Sequence, residues 1–130
     1  MAKEKIKIDY MLNSASGNII WNSISTPSGM ENWFADEVRV NDKVFTFKWG
    51  EDEIRQATVT GIRNGSFIRF KWLDEAESNP KAYFELKMSY NELTQDYVLE
   101  VVDFAEPDER DEQIELWDMQ INTLKRMCGL

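Results

Sequence analysis

Apolar and polar residues alternate over most of this chain, which is the pattern of strands that bury one face. In residues 5–12, one face carries Ile6, Ile8, Tyr10 and Leu12. The same alternation predicts six further strands, in residues 36–40, 44–49, 54–63, 66–72, 82–90 and 94–104. Asn64-Gly65 is the signal of a type I′ hairpin, so neighbouring strands are expected to be antiparallel. For residues 94–104 the pattern does not decide which face points inward.

Two short helical segments are predicted after the first strand. The first contains an apolar group at helical spacing, Ile20, Trp21 and Ile24, with Asn13-Ser14 as its candidate N-cap. Residues 26–29 include a proline and a glycine, and we expect them to end this helix. A second brief helical turn is then indicated by Met30, Trp33 and Phe34.

The last part of the chain changes to a helical period. Apolar residues three and four positions apart form a single stripe of Ile114, Trp117, Ile121, Leu124 and Cys128. The spacing predicts a helix over residues 111–128, with Asp108 as the N-cap and Gly129 as the C-cap. A long one-sided helix that follows antiparallel strands must lay its stripe on the sheet. The predicted fold is therefore α+β, with a curved seven-stranded antiparallel sheet wrapped around a long C-terminal helix, as one domain over residues 1–130.

Charge and composition exclude several functions. The net charge of −9 would repel phosphate backbones and anionic lipid surfaces, which disfavours nucleic-acid binding. The chain contains no histidine, which removes His-based nucleophile systems and His-ligated zinc, and we predict no metal site and no cofactor. No apolar run reaches the ~20 residues of a membrane span. The start of the chain has no signal-peptide pattern and the single cysteine fits a reducing compartment, so we expect a cytoplasmic location.

Several local motifs accompany this order of elements. Early in the chain stand Ile20-Trp21, Thr26-Pro27 and Trp33-Phe34, and the last helix carries Leu116-Trp117 and Leu124-Lys125. Together they resemble the helix-grip (SRPBCC) superfamily of START-like proteins, and within it the branch related to activators of the large heat-shock ATPase chaperone. In that branch a glycine usually stands where this chain has Leu116, and the larger side chain is expected either to narrow a cavity mouth or to change the helix contact. The resemblance implies a helix-grip fold and a function among lipid carriers, hormone receptors, polyketide cyclases and co-chaperone domains.

The candidate ligand site is the space between the sheet and the last helix. The residues predicted to line it are Trp33, Phe45, Phe47, Trp49, Phe70, Trp72, Phe84, Met88, Trp117 and Ile121. Each alone is more often a plain core residue, but bulky aromatics under one helix leave irregular gaps. The preferred hypothesis is a module that binds a small apolar or amphipathic molecule. The alternatives are a co-chaperone-like protein-interaction domain, whose acidic surface would meet a basic partner, and a cyclase-type enzyme; the oligomeric state stays open.

Charged and hydroxyl residues are weaker candidates. Arg55 and Arg69 lie inside strands and could anchor a ligand carboxylate, although such residues more often face solvent, and Arg69 alternates with Phe70. The acidic residues Asp74, Glu75 and Glu77 lack the spacing of a calcium loop, so we expect a solvated turn. An enzyme would need an inward-facing carboxylate or tyrosine, and Tyr10 is the named candidate.

Overall fold

The computed structural model describes residues 3–12 and 16–128, and it confirms the predicted fold class. The seven strands are β1 (Glu4–Leu12), β2 (Glu37–Asn41), β3 (Val44–Trp49), β4 (Glu53–Arg63), β5 (Phe67–Trp72), β6 (Phe84–Asn91) and β7 (Asp96–Ala105). The three α-helices are α1 (Gly17–Ser25), α2 (Pro27–Met30) and α3 (Arg110–Met127). The caps expected at Asn13-Ser14 and at Gly129 lie outside the described residues.

The strands form one antiparallel sheet in the order β1-β7-β6-β5-β4-β3-β2. Strands β2 to β7 follow one another as hairpins, and β1 pairs with β7, far along the chain. In the β2–β3 turn, Asp42 and Lys43 both have positive φ, as a type I′ turn requires. The register of β4 against β5 shifts between Val59 and Gly61, and such an irregularity increases bending of a sheet around what it covers.

The inner face of the sheet and the stripe of α3 share one core. The buried inward residues include Phe47, Phe70 and Leu86 from three different strands, as the alternation predicts. From α3, this core receives Trp117, Ile121 and Leu124. The predicted contact between helix stripe and sheet is therefore present. In β7, Leu99 and Val101 point into this core, which gives the facing that the sequence pattern left open.

Two helix starts were predicted wrongly, and prolines explain both. Residues 26–29 do end the first helix, since α1 stops at Ser25, but the next helix begins at Pro27 and not at Met30. The fixed φ of Pro27 is favourable there, and Thr26 Oγ1 accepts a hydrogen bond from the Gly29 amide at 3.0 Å. Asp108 is not the N-cap of α3. It lies in a 3-10 turn, Pro107–Glu109, that Pro107 begins, and Glu109 takes the cap position without a side-chain hydrogen bond.

Candidate functional site

A cleft of about 320 Å³ opens between α3 and one end of the sheet. Lys3 lies there at the start of the chain's first strand, and the cleft also contains Trp49 and Trp72, the last residues of β3 and β5. At the opposite end, α1 and α2 pack onto the core through Ile20, Ile24 and Met30, all fully buried. The space under α3 is thus filled by side chains at one end and open at the other.

The floor of the cleft is aromatic. Five rings line it, from Phe34, Trp49, Trp72, Phe84 and Trp117. The Phe34 ring lies at their centre, with ring centroids 5.7 Å from Trp49, 5.7 Å from Phe84 and 5.8 Å from Trp117. The Phe34 carbonyl accepts hydrogen bonds from Trp49 Nε1 at 2.7 Å and from Gln120 Nε2 at 3.0 Å. These bonds fix the segment after α2 to both the sheet and α3, which holds the floor rigid.

Asp103 is a buried carboxylate in the wall of the cleft. It is only 7% exposed, and it lies near the end of β7 on the same face as Leu99 and Val101. Its Oδ2 accepts from Trp117 Nε1 at 2.8 Å and from Gln113 Nε2 at 2.7 Å, and its Oδ1 accepts from the Phe104 amide at 2.7 Å. Burial raises the pKa of Asp103 above its ordinary value, although these hydrogen bonds act in the opposite direction. Asp103 therefore ties α3 to the sheet and is a titratable group at the cleft.

Charged side chains form part of the rim. Arg55 donates to both carboxylate oxygens of Asp74 at 2.8 Å, and its guanidinium lies over the Trp72 ring, 3.9 Å from the centroid. Glu75 Oε1 accepts from Lys3 Nζ at 2.6 Å and from Arg55 at 3.4 Å. The hydrogen bonds from Arg55 hold the pKa of Asp74 below its usual range. The rim thus connects the first strand, β4 and the loop after β5.

This rim bears on two of the predictions. For Arg55 both a ligand anchor and a solvent-facing residue were open. The structure places it at the margin of the inner face, paired with Phe47 across β3 and β4, where Asp74 and Trp72 partner its charge. The acidic loop is not simply a solvated turn, since Asp74 and Glu75 both bind Arg55. Arg69 points to the face of the sheet opposite to that of Phe70, as the alternation predicts. It pairs with Glu85 at 3.0 Å, away from the cleft.

Of the ten predicted site residues, the structure brings four to the cleft. These are Trp49, Trp72, Phe84 and Trp117. Five others, Phe45, Phe47, Phe70, Met88 and Ile121, are buried in the core outside the cleft, where neighbouring side chains surround them. Trp33 lines a shallower groove beside Phe34, and its Nε1 donates to the Ser23 carbonyl at 2.7 Å. Whether any of the ten contacts a ligand stays a prediction.

Twelve of the sixteen cleft residues were absent from the predicted set, and five of these belong to α3 or contact it. Phe34 was recognised only as part of a Trp-Phe pair, and Asp103 was missed because the facing of its strand was undecided. The others, Gln113, Leu116 and Gln120, flank Trp117 on α3. A signal for two of them was present, because Gln113 and Gln120 fall four residues before and three after Trp117 and so share its side of the helix. For Asp103 the sequence offered no signal, because its place on the inner face follows from that of Val101, which the pattern left open.

Tyr10, the residue named for an enzyme, is not among the residues that line the cleft. Its hydroxyl donates to Asp118 Oδ1 at 2.6 Å and so links β1 to α3. Partial burial and the neighbouring Asp118 carboxylate raise the pKa of Tyr10 above its ordinary value. This tyrosine therefore links β1 to α3 outside the cleft.

The family model of the START-like superfamily domain matches residues 1–130. This chain belongs to the START-like superfamily. Among solved structures, BfR322 from Bacteroides fragilis is 58% identical, with coverage of 100% of this chain and 94% of that chain and a TM-score of 0.69. The Aha1 dimer from Colwellia psychrerythraea is 14% identical and has a TM-score of 0.80, with 96% of each chain covered. ChR145 from Cytophaga hutchinsonii is 13% identical with a TM-score of 0.72, and the match covers 98% of this chain and 94% of that one.

The two more distant similarities show the shared fold alone, whereas the family match agrees with the resemblance drawn from the sequence motifs. The comparison with curated proteins gives no match. Among the described residues, none of the helices combines the length and the apolar character that a membrane crossing requires.

Proposed function

We propose that this START-like chain is a binding module that holds a small apolar or amphipathic molecule in the cleft between the sheet and α3. The observation that carries the proposal is the aromatic floor, because five rings stand around a space that the core does not fill. Its volume of about 320 Å³ is at the lower end of the range of small-molecule pockets. Polar groups at the rim would orient the molecule, since small-molecule pockets generally use a small number of polar groups for this purpose.

The filled end of the core limits the size of the molecule. Phe70, Leu86 and Ile121 occupy the middle of the space under α3 and are fully buried. A long acyl chain would have to displace them, and a close-packed core resists such displacement. The proposal is therefore for a compact ligand rather than a long-chain lipid.

The test is the binding of the neutral fluorescent probe N-phenyl-1-naphthylamine, with a variant that covers the mouth. Leu116 lines the cleft and is 47% exposed on α3, so Leu116→Trp adds a ring over the opening without altering the core. Met119→Trp is the matched control, since Met119 lies three residues further along α3, is 67% exposed and does not line the cleft. We expect saturable binding to the wild type and to Met119→Trp, and at least tenfold weaker binding to Leu116→Trp, with all three melting within a few degrees of one another.

A wild-type protein that gives no saturable probe signal would overturn the proposal and favour the protein-interaction alternative. Equal loss of binding in both tryptophan variants would also overturn it, because the probe would then be on the outer surface of α3. A ligand that binds the native state also raises the melting temperature by mass action, which gives a second readout independent of fluorescence.

A further inference from the structure

We propose that the molecule held in the cleft is an organic cation, with an apolar body on the aromatic floor and its positive charge near the carboxylates of Glu53 and Glu109. This inference rests on the proposed function and adds the chemical class of the ligand. Two observations carry it: the way the rim charges are already paired, and the partly exposed rings of Trp49 and Trp72 in the cleft.

The cations of the rim are already engaged by acids. Lys3 Nζ lies 2.6 Å from Glu75, and Arg55 contacts both Asp74 and Glu75. An anionic ligand would have to compete with the carboxylates that already neutralise these two groups. The cost would include breaking a bidentate Arg–carboxylate pair, which is among the stronger ionic contacts.

Two acids of the rim are differently placed. Glu53 and Glu109 both line the cleft and are exposed. Within residues 3–12 and 16–128, no lysine or arginine nitrogen lies within 4.0 Å of either carboxylate. A positive group on a ligand could therefore pair with these two carboxylates without breaking an existing ion pair. The net charge of −9 favours the approach of cations to the protein as a whole.

The aromatic floor fits the same chemistry. Cations are attracted to the faces of tryptophan, tyrosine and phenylalanine rings within about 6 Å of the centroid. Arg55 already uses the Trp72 ring in this way, at 3.9 Å. Of the remaining rings, Trp49 is the partly exposed one and would offer the same interaction to a ligand, and a neutral apolar molecule would gain nothing from it.

The test uses three ligands of matched shape and different charge: benzyltrimethylammonium, its neutral isostere neopentylbenzene, and the anion benzylsulfonate. Binding is followed by NMR through the indole N–H signals of the five tryptophans, of which Trp49, Trp72 and Trp117 line the cleft. We expect the cation to bind about tenfold more tightly than the neutral isostere, as the usual strength of cation–π contacts implies. The anion is expected to bind most weakly.

The carboxylates are tested by the double variant Glu53→Gln with Glu109→Gln. The matched control is Glu92→Gln, an exposed acid in the turn between β6 and β7, at the other end of the sheet. The double variant should weaken cation binding about fivefold and leave neopentylbenzene unchanged, while the control changes neither. Melting temperatures of the variants check that the fold is intact.

Equal or tighter binding of neopentylbenzene, or preferred binding of benzylsulfonate, would overturn the cation inference and leave the proposed function standing. Unchanged cation affinity in the double variant would likewise overturn the assignment to Glu53 and Glu109. If none of the three ligands perturbs the indole signals, and the neutral fluorescent probe also fails to bind, the proposed function fails together with the inference.

Discussion

The two ends of the space under α3 are both lined by aromatic residues, but one end is filled by side chains and the other is open. On β5, Phe70 is fully buried in the core, whereas Trp72, two residues further on the same face, is only partly buried and lines the cleft. Both rings contact Phe84, with centroids 4.7 Å and 5.0 Å away. The aromatic residues themselves therefore do not decide where the space stays open.

The difference lies in what covers the rings. At the closed end, α1 and α2 supply apolar side chains, and Gly17 lies so close to the Tyr97 ring that a Cβ would have no room. At the open end the cover consists of charged side chains such as Lys3, Arg55 and Glu75, which hold one another at the rim rather than fill the space. An aromatic cluster becomes a cleft where the elements above it are polar.

The largest expected effect concerns Trp117, which belongs to both the core and the cleft. Trp117→Ala is expected to lower the free energy of unfolding by about 3–5 kcal/mol, because the substitution removes a buried ring and takes a hydrogen-bond donor from Asp103. Met119→Ala, on the exposed side of α3, should change it by less than about 0.5 kcal/mol. Urea denaturation measures both. A Trp117→Ala protein as stable as the wild type would show that α3 does not depend on this contact.

A pair of variants on β5 sharpens the comparison between the two ends. Phe70→Ala should cost about 3–5 kcal/mol, since it leaves a cavity in packed surroundings. Trp72→Ala should cost about 1–2 kcal/mol, because part of this ring faces the open cleft. Arg55, which stacks on the ring, would also still have Asp74 as its ionic partner. The measurement is again the free energy of unfolding in urea. Equal losses in the two variants would mean that the ends are packed alike and that the comparison is mistaken.

The smallest expected effect is a pH dependence from Asp103. Burial raises its pKa in the folded protein above the ordinary 3.8, so the folded state holds this proton more firmly than the unfolded chain. The resulting stabilisation is fully present below pH 3.8 and is lost as the pH rises through the folded pKa. In Asp103→Asn the side chain does not titrate, so this loss of stability with rising pH is absent. The stability of the variant relative to the wild type should therefore increase with pH across this window. Urea denaturation over a pH series gives the slope, and a flat difference would contradict the raised pKa.

Much of the fold was predictable because it depends on local periodicity. The alternation in β3, β5 and β6 and the stripe Trp117, Ile121 and Leu124 each follow from a short stretch of sequence, and the structure confirms them. The START-like resemblance, drawn from the order of such stretches, agrees with the family match. The start of α2 and the N-cap of α3 were predicted wrongly, because a proline that ends one element can also begin the next.

The sequence by itself determined which residues share one face of a strand or helix, since the side-chain periods of strand and helix are properties of the backbone. It could not determine which inward residues border open space, because that depends on what another part of the chain places above them. Phe34 and Asp103 reach the cleft through contacts with α3, 86 and 14 residues away along the chain. Arg55 becomes a rim residue only because the loop after β5 brings Asp74 to it. Tertiary structure decided the site, since packing and charge pairing join residues that no local pattern connects.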